Sequence, residues 1–187
     1  MDDITKLKSI FVTGKVGIGK TTLIRESTLP FLEYIGGFYT EEIKKDGKRY
    51  GFMLKTFSGQ EVLFASIDIK QGPKVSKYRV DTGIFDEVGV KEVVNALKNK
   101  KIIVIDEIGS MEMFSKKFQE VFADCLMSSN NILATIREKS QPFSNEIKKF
   151  NASKVLTLTK DNFINTKEEI RKWLNNLVKR KISEGKD

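Results

Sequence analysis

Short runs of consecutive apolar residues recur along the chain and predict strands that are covered on both faces. A strand with one face in water alternates apolar and polar positions, and these runs do not. Continuous apolar strands are typical of a parallel sheet that carries helices on both sides. The runs are Lys8–Thr13, Lys101–Asp106, Asn131–Ile136 and Lys154–Leu158.

Between these runs, apolar residues recur at helical spacing, which predicts helices with one buried face. The first is expected from Lys20 to about Leu29, where Pro30 ends or kinks it. Further helices are predicted over Val90–Leu97, from the capping residue Ser115 to about Met127, and over Asn145–Phe150. The final helix is expected to open at the capping box Thr166–Glu169 and to bury Ile170, Trp173, Leu174, Leu177 and Val178.

The segment after the first helix has a different pattern, which predicts antiparallel strands. Gly36-Gly37 is interpreted as a break, and Asp46-Gly47 is a strong hairpin turn between Gly37–Ile43 and Arg49–Phe57. A third strand is expected over Glu61–Ser66, followed by a loop over Lys70–Val80. The whole chain, 1–187, is thus expected to form one α/β domain: a doubly wound, mostly parallel sheet with a hairpin insertion at about 37–66.

A glycine-rich loop follows the first predicted strand and precedes the first helix. It reads G-x-x-x-x-G-K-T from Gly14 to Thr21, and the strand–loop–helix order is the context that this phosphate-binding motif requires. Backbone N–H groups and the helix start would bind phosphate oxygens, Lys20 would reach the β- and γ-phosphates, and Thr21 would bind Mg²⁺. The predicted nucleotide-binding residues are Gly14, Lys15, Val16, Gly17, Ile18, Gly19, Lys20, Thr21 and Thr22.

Two carboxylates end the predicted strand Lys101–Asp106. Ligands of parallel α/β sheets bind at the carboxyl ends of strands, so Asp106 and Glu107 lie beside the phosphate loop if the two strands are neighbours. Asp106 is suited to hold Mg²⁺, and Glu107 to orient and deprotonate an attacking water. The nucleotide-binding residues predicted here are Ile105, Asp106, Glu107, Ile108 and Gly109, with Lys20 and Glu107 as the catalytic residues.

Several further polar residues have two readings each. Thr135 ends a buried strand and is either a sensor of the γ-phosphate or a plain strand-end threonine. Arg137 is a candidate for stabilising charge in the transition state, as an arginine finger in cis would. Arg49 and Lys77 are alternatives, and surface solvation is the simpler reading of each.

Composition limits the chemistry further. The chain has no histidine, which excludes histidine general bases and histidine zinc ligands, and its one cysteine, Cys125, excludes an internal disulfide. The net charge of +8 is attributed to a lysine-rich surface and an anion site, with nucleic-acid binding as the less favoured reading. The acidic start, Met1-Asp2-Asp3, and the lack of a long apolar run favour a cytoplasmic protein without a membrane segment. We also expect the protein to be a monomer.

Four stretches carry a family resemblance: Gly36–Glu42, Gly47–Phe52, Gly72–Asp81 and Ile105–Ser115. In this order they resemble the small nucleoside-triphosphatases of thermophilic prokaryotes and the animal cancer-related nucleoside-triphosphatase. The resemblance implies a P-loop core of the RecA-like or kinase-like type with an additional strand. It also implies Mg²⁺-dependent hydrolysis of ATP, GTP, CTP, UTP and TTP with little base selectivity, and weaker action on diphosphates. Relatives often carry a histidine where this chain has Arg137-Glu138-Lys139.

Two other functions remain open at this point. A small-molecule or nucleoside kinase would use the hairpin and the loop from Lys74 to Asp81 as an acceptor pocket, with Glu107 or Asp81 as its base. A nucleotide-switched protein acting on RNA would show slow turnover that a partner stimulates. Low base selectivity also fits the sequence itself, because Thr159-Lys160-Asp161 does not match a guanine-reading motif.

Overall fold

A nine-stranded sheet forms the centre of the computed structural model, which describes residues 4–99, 101–137 and 153–184. Its order is β5-β6-β4-β3-β2-β7-β8-β1-β9. The strands are β1 (Ser9–Thr13), β2 (Ile35–Lys45), β3 (Lys48–Thr56), β4 (Glu61–Ser66), β5 (Lys74–Val75), β6 (Tyr78–Val80), β7 (Ile102–Ile108), β8 (Ile132–Ile136) and β9 (Ser153–Thr157). The pairings of β2 with β7, β7 with β8, β8 with β1 and β1 with β9 are parallel. The pairings of β2 with β3, β3 with β4, β4 with β6 and β5 with β6 are antiparallel.

Helices cover both faces of this sheet. They are α1 (Lys20–Thr28), α2 (Thr82–Phe85), α3 (Lys91–Lys98), α4 (Lys116–Met127) and α5 (Phe163–Glu184). A π-helical turn, Asp86–Val90, joins α2 to α3, and 3₁₀ turns occupy Ile4–Lys6, Leu29–Tyr34 and Glu112–Phe114. Within the described ranges, no helix is both long enough and apolar enough to cross a membrane.

Alternate residues of the central strands enter two separate cores, as expected for a doubly wound sheet. Phe11, Ile103 and Ile105 face one core with α3 and α4, whereas Ile10 and Val104 face the other with α1 and α5. The predicted buried face of the final helix is confirmed. Trp173 is fully buried, and its indole N–H donates a 2.9 Å hydrogen bond to the Leu7 carbonyl. Cys125 is buried.

The Gly36-Gly37 pair is not a break, because both residues lie inside β2. The glycines are there for close packing: a β-carbon on Gly37, whose φ is +117°, would lie 2.0 Å from the Val104 carbonyl oxygen. β2 pairs with β7 through its first half and with β3 through its second half. The hairpin is therefore a direct extension of the central sheet. Its turn at Asp46-Gly47 has positive φ at both positions, as the sequence predicted.

Two other expectations need correction, and one lies outside the described residues. Lys70–Val80 is not only a loop, since it contains the short strands β5 and β6. The final helix begins at Phe163, three residues before Thr166, so Thr166 is not its cap. Instead, the Thr159 N–H donates to Asn162 Oδ1 and the Asn162 N–H to Thr159 Oγ1, a reciprocal pair that opens the helix. The helix predicted over Asn145–Phe150 lies outside the described residues.

Candidate active site

The phosphate loop connects β1 to α1 and leaves the start of that helix open. Gly19 is the N-cap of α1 with φ +105°, a conformation that favours glycine, and among the described residues no side chain caps this end. The first turn therefore has N–H groups available for a ligand. Lys15, Val16 and Gly17 form the exposed tip of the loop, with Val16 82% exposed. The free N–H groups of the loop and the dipole of α1 together form an anion-binding site.

Lys20 is held at the centre of this site. Its side chain is 8% exposed, and Nζ donates a 3.2 Å hydrogen bond to the Gly14 carbonyl. The same Nζ lies 3.3 Å from Glu107 Oε2, at the end of β7. The loop lysine and the strand carboxylate that the sequence singled out are thus in direct contact.

The carboxylates lie beside the phosphate loop although the condition named from the sequence, that the two strands are neighbours, is not met. β1 and β7 are not neighbours, because β8 lies between them. β8 bridges the gap with Thr135, whose hydroxyl donates a short hydrogen bond to Asp106 Oδ1. Thr135 is fully buried, and its hydrogen bond to Asp106 makes it part of the site. A sensor of the γ-phosphate and a plain strand-end threonine both stay open as interpretations of Thr135.

Asp106 is a buried carboxylate with spare binding capacity. It is 1% exposed, and no residue that the structure describes donates to its Oδ2 atom. Burial raises the pKa of Asp106 to about 6, while the hydroxyls of Thr135 and Thr21 act in the opposite direction. A cation next to Oδ2 would satisfy this oxygen and favour the charged carboxylate. The two residues predicted to hold the metal, Thr21 and Asp106, therefore fit a Mg²⁺ ion.

Glu107 lies between two cations. Lys20 contacts its Oε2, and Arg137 Nε lies 3.3 Å from its Oε1. Arg137 also donates from Nη1 to Ser110 Oγ at 3.1 Å. The Glu107 side chain is 24% exposed, so water can reach the carboxylate. This arrangement fixes the carboxylate in the cleft beside the phosphate loop.

A cleft with a volume of about 550 Å³ opens in front of these residues. It continues from the loop along the β2–β3 hairpin, where Arg25 pairs with Glu41 and Arg49 with Glu42. Other lining residues are Gly17, Gly19, Lys20, Thr21, Thr22, Phe52, Phe64, Glu107, Met111, Glu112 and Arg137.

Some of the candidate residues are placed elsewhere. Lys77 lies over the Tyr78 ring at the far end of the sheet, and Asp81 caps α2 by accepting from the Ile84 N–H. The side chains of Ile105 and Ile108 pack in the hydrophobic core, so only their backbone is available to the site.

Sequence reasoning missed one buried carboxyl in this cleft, Glu112. It is 5% exposed, and its Oε2 accepts a 3.0 Å hydrogen bond from the Gly109 N–H. Burial raises the pKa of Glu112 to about 8, and the negative charge of Glu107 acts in the same direction. The available signal was a lone carboxylate between two methionines, Met111 and Met113, directly after the strand with the two acids.

The chain is similar to nucleoside-triphosphatases over most of its length. A family model described as NTPase matches residues 9–177. Nucleoside-triphosphatase THEP1 of Thermotoga sp. (strain RQ2) is 41% identical over 153 residues, which are 82% of this chain and 87% of that protein. The protein of the same name from Methanocaldococcus jannaschii is 39% identical over 165 residues, 86% of this chain and 94% of that protein.

Two solved structures have the same fold. The crystal structure of THEP1 from the hyperthermophile Aquifex aeolicus aligns with a TM-score of 0.82 at 31% identity, covering 89% of this chain and 98% of that one. The solution structure of a human cancer-related nucleoside triphosphatase aligns with a TM-score of 0.70 at 30% identity, covering 94% of this chain and 98% of that one. These matches confirm the resemblance that the motifs indicated and the P-loop fold. The chain therefore belongs to the NTPase family, the family of the nucleoside-triphosphatases to which it is similar.

Proposed function

We propose that this enzyme hydrolyses nucleoside triphosphates to the diphosphate and phosphate, that it requires Mg²⁺, and that it selects weakly among bases. Its substrates would be ATP, GTP, CTP, UTP and TTP, with weaker action on diphosphates. The observation that carries the proposal is the contact of Lys20 with Glu107 at 3.3 Å, next to the buried Asp106 with its unpartnered Oδ2. The names of the relatives support the same reaction.

The residues of the loop bind and neutralise the triphosphate. The N–H groups at the uncapped start of α1 point toward the loop, and Lys20 adds a full positive charge at its centre. Phosphoryl transfer depends mainly on such positioning and on stabilising the charge of the γ-phosphoryl oxygens. The Lys20 ammonium contacts Glu107 and the Gly14 carbonyl, and we expect it to turn to the phosphates when substrate binds.

Thr21 and Asp106 are the residues that would hold Mg²⁺. When bound, the ion supplies positive charge to the phosphate oxygens. Thr135 fixes the orientation of Asp106 through its hydroxyl, and this leaves Oδ2 directed away from the hydrogen-bonded side. Such supporting hydrogen bonds hold a ligand carboxylate in one orientation.

Glu107 is placed to activate the attacking water. The carboxylate accepts a proton as the water oxygen forms its bond to the γ-phosphorus, and the bond from that phosphorus to the bridging oxygen of the diphosphate breaks. Arg137 holds Oε1 of Glu107 and lies in the same cleft, where it also offsets charge on the transferred group. Arg49 lines the same cleft and pairs with Glu42 on the hairpin, so it stays an alternative to Arg137 for this role.

Phosphate release tests this proposal. We expect Mg²⁺-dependent release of phosphate from ATP, GTP, CTP and UTP at similar rates, without any added acceptor. Lys20→Ala should abolish it, and Lys98→Ala, which removes an exposed lysine at the end of α3, is the matched control. Equal loss in the two variants would mean that general positive charge, and not the placed lysine, binds the substrate.

A kinase remains the second candidate because apolar side chains line part of the cleft. Phe52, Phe64 and Met111 are among its lining residues, and such side chains suit an organic acceptor. A kinase would bind triphosphate and release little phosphate until the acceptor is added.

The cytoplasmic location and the monomeric state expected from the sequence stay predictions, as does the single domain over 1–187.

A further inference from the structure

A partly exposed aromatic side chain, Phe163, stands beside the phosphate loop. It is the first residue of α5, and its Cε2 lies 3.6 Å from the place that a β-carbon on Gly19 would occupy. Lys167, one turn further along α5, contacts Glu26 of α1 through a 2.8 Å ion pair. Because Glu26 lies one turn after Thr22 in α1, the Phe163 ring lies next to the Thr22 end of the loop.

The sheet order determines which end of a bound triphosphate reaches this ring. β1, which carries the phosphate loop, has β8 and then β7 on one side and β9 on the other. The γ-phosphoryl group must meet Glu107, at the end of β7. The opposite end of the substrate then points to the β9 side, where the chain continues into Phe163 and α5. That end carries the ribose and the base.

Two polar side chains close to Phe163, those of Asn162 and Lys167, are engaged within the protein. Asn162 Oδ1 accepts from the Thr159 N–H at 2.8 Å, and Asn162 Nδ2 donates to the Thr157 carbonyl at 2.9 Å. Lys167 is paired with Glu26 and lies 5.7 Å from the centroid of the Phe163 ring, on one face. Reading a base requires hydrogen bonds to its edge, whereas stacking on an aromatic ring accepts every base.

We propose that Phe163 is the stacking surface for the base of the nucleotide, through the ring face that Lys167 does not cover. This inference rests on the proposed function and adds a specificity-determining residue to it. It also gives a physical reason for weak base selection. The ring offers a π-face common to all substrates, and both polar atoms of the adjacent Asn162 amide are hydrogen-bonded to the backbone before the helix.

Three variants and a probe without a base test the proposal. Phe163→Leu keeps an apolar side chain for packing but removes the ring, Phe163→Tyr keeps the ring, and Ile164→Ala removes an exposed neighbour as a control. For each, KM is measured for ATP, GTP, CTP and UTP. Inorganic tripolyphosphate is the probe, measured as an inhibitor of ATP hydrolysis, because it occupies the loop without a base.

Phe163→Leu should raise KM for all four nucleotides roughly 5- to 50-fold, and more for the purines, because one stacked base is lost. Its kcat and the inhibition constant of tripolyphosphate should stay within about twofold of wild type, since the loop is intact. Phe163→Tyr and Ile164→Ala should match wild type.

Two results would overturn the inference. Equal weakening of nucleotides and tripolyphosphate in Phe163→Leu would show that the residue only packs the loop. Unchanged KM values would place the base elsewhere. Either result leaves hydrolysis itself in place, whereas a wild-type enzyme that releases no phosphate would refute the proposed function instead.

Discussion

The buried Glu112 carboxyl should make the stability of the enzyme depend on pH. In the folded state the pKa of Glu112 is raised from 4.5 to about 8 by burial. Between these two values the folded protein binds more protons at this site than the unfolded chain does. Its contribution to the free energy of unfolding is therefore largest at low pH and decreases as pH rises toward the folded pKa.

Replacing the carboxyl by an amide removes this dependence. Glu112→Gln keeps an oxygen that can accept from the Gly109 N–H, but it does not titrate. With pKa values of 4.5 unfolded and about 8 folded, the contribution of Glu112 falls by roughly 3 kcal/mol between about pH 5 and about pH 7.5. Relative to wild type, the variant should gain that amount over the same interval.

Urea unfolding of both proteins at several pH values measures this difference. Glu120→Gln, which removes a carboxyl from the exposed surface of α4, controls for the loss of one negative charge. A difference between wild type and Glu112→Gln that stays constant with pH would refute the reasoning. It would mean that Glu112 has the same charge in the folded and unfolded states.

Four further results are expected. Arg137→Ala should lower kcat roughly 10- to 100-fold with little change in KM, because Glu107 loses the partner of its Oε1, and steady-state kinetics with Arg137→Lys as a partial rescue measures this. Chelation by EDTA should stop hydrolysis, and in Thr135→Val the Mg²⁺ concentration for half-maximal activity should rise about tenfold, because Asp106 loses its orienting hydroxyl. Trp173→Ala should lower the free energy of unfolding by about 3–5 kcal/mol, because it leaves a fully buried site empty and removes a hydrogen bond. Urea unfolding monitored by circular dichroism measures this change, and an unchanged unfolding midpoint would contradict the packing role.

The parts of the site that a continuous motif encodes could be predicted from the sequence. The phosphate loop fixes its own geometry through residues that are adjacent in the chain, so Lys20 and Thr21 were identified directly. The two acids of β7 were found because an apolar strand ends at them. Thr135 was left with two readings because its partner, Asp106, lies on another strand, and only the sheet order brings them together.

The features that were missed depend on contacts between distant residues. Gly37 was interpreted as part of a break because glycines are typical of turns. It lies in a strand instead, where the close approach of Val104 leaves no room for a β-carbon. Glu112 looks like a solvated acid until the 3₁₀ turn places it inside the cleft. At α5, the capping-box sequence that begins at Thr166 was chosen as the helix start. The structure shows reciprocal hydrogen bonds between Thr159 and Asn162 instead, and this pair was missed because it lacks the glutamate or glutamine of the usual capping box.

Glu107 is proposed to activate the water while Lys20 binds the phosphates. The most direct test measures nucleotide affinity and turnover in the same preparation of Glu107→Gln. The account predicts an affinity within about threefold of wild type and a kcat reduced at least roughly 100-fold, because only the proton acceptor is removed. In Lys20→Ala, both affinity and turnover should be lost. Turnover by Glu107→Gln at the wild-type rate would contradict the account.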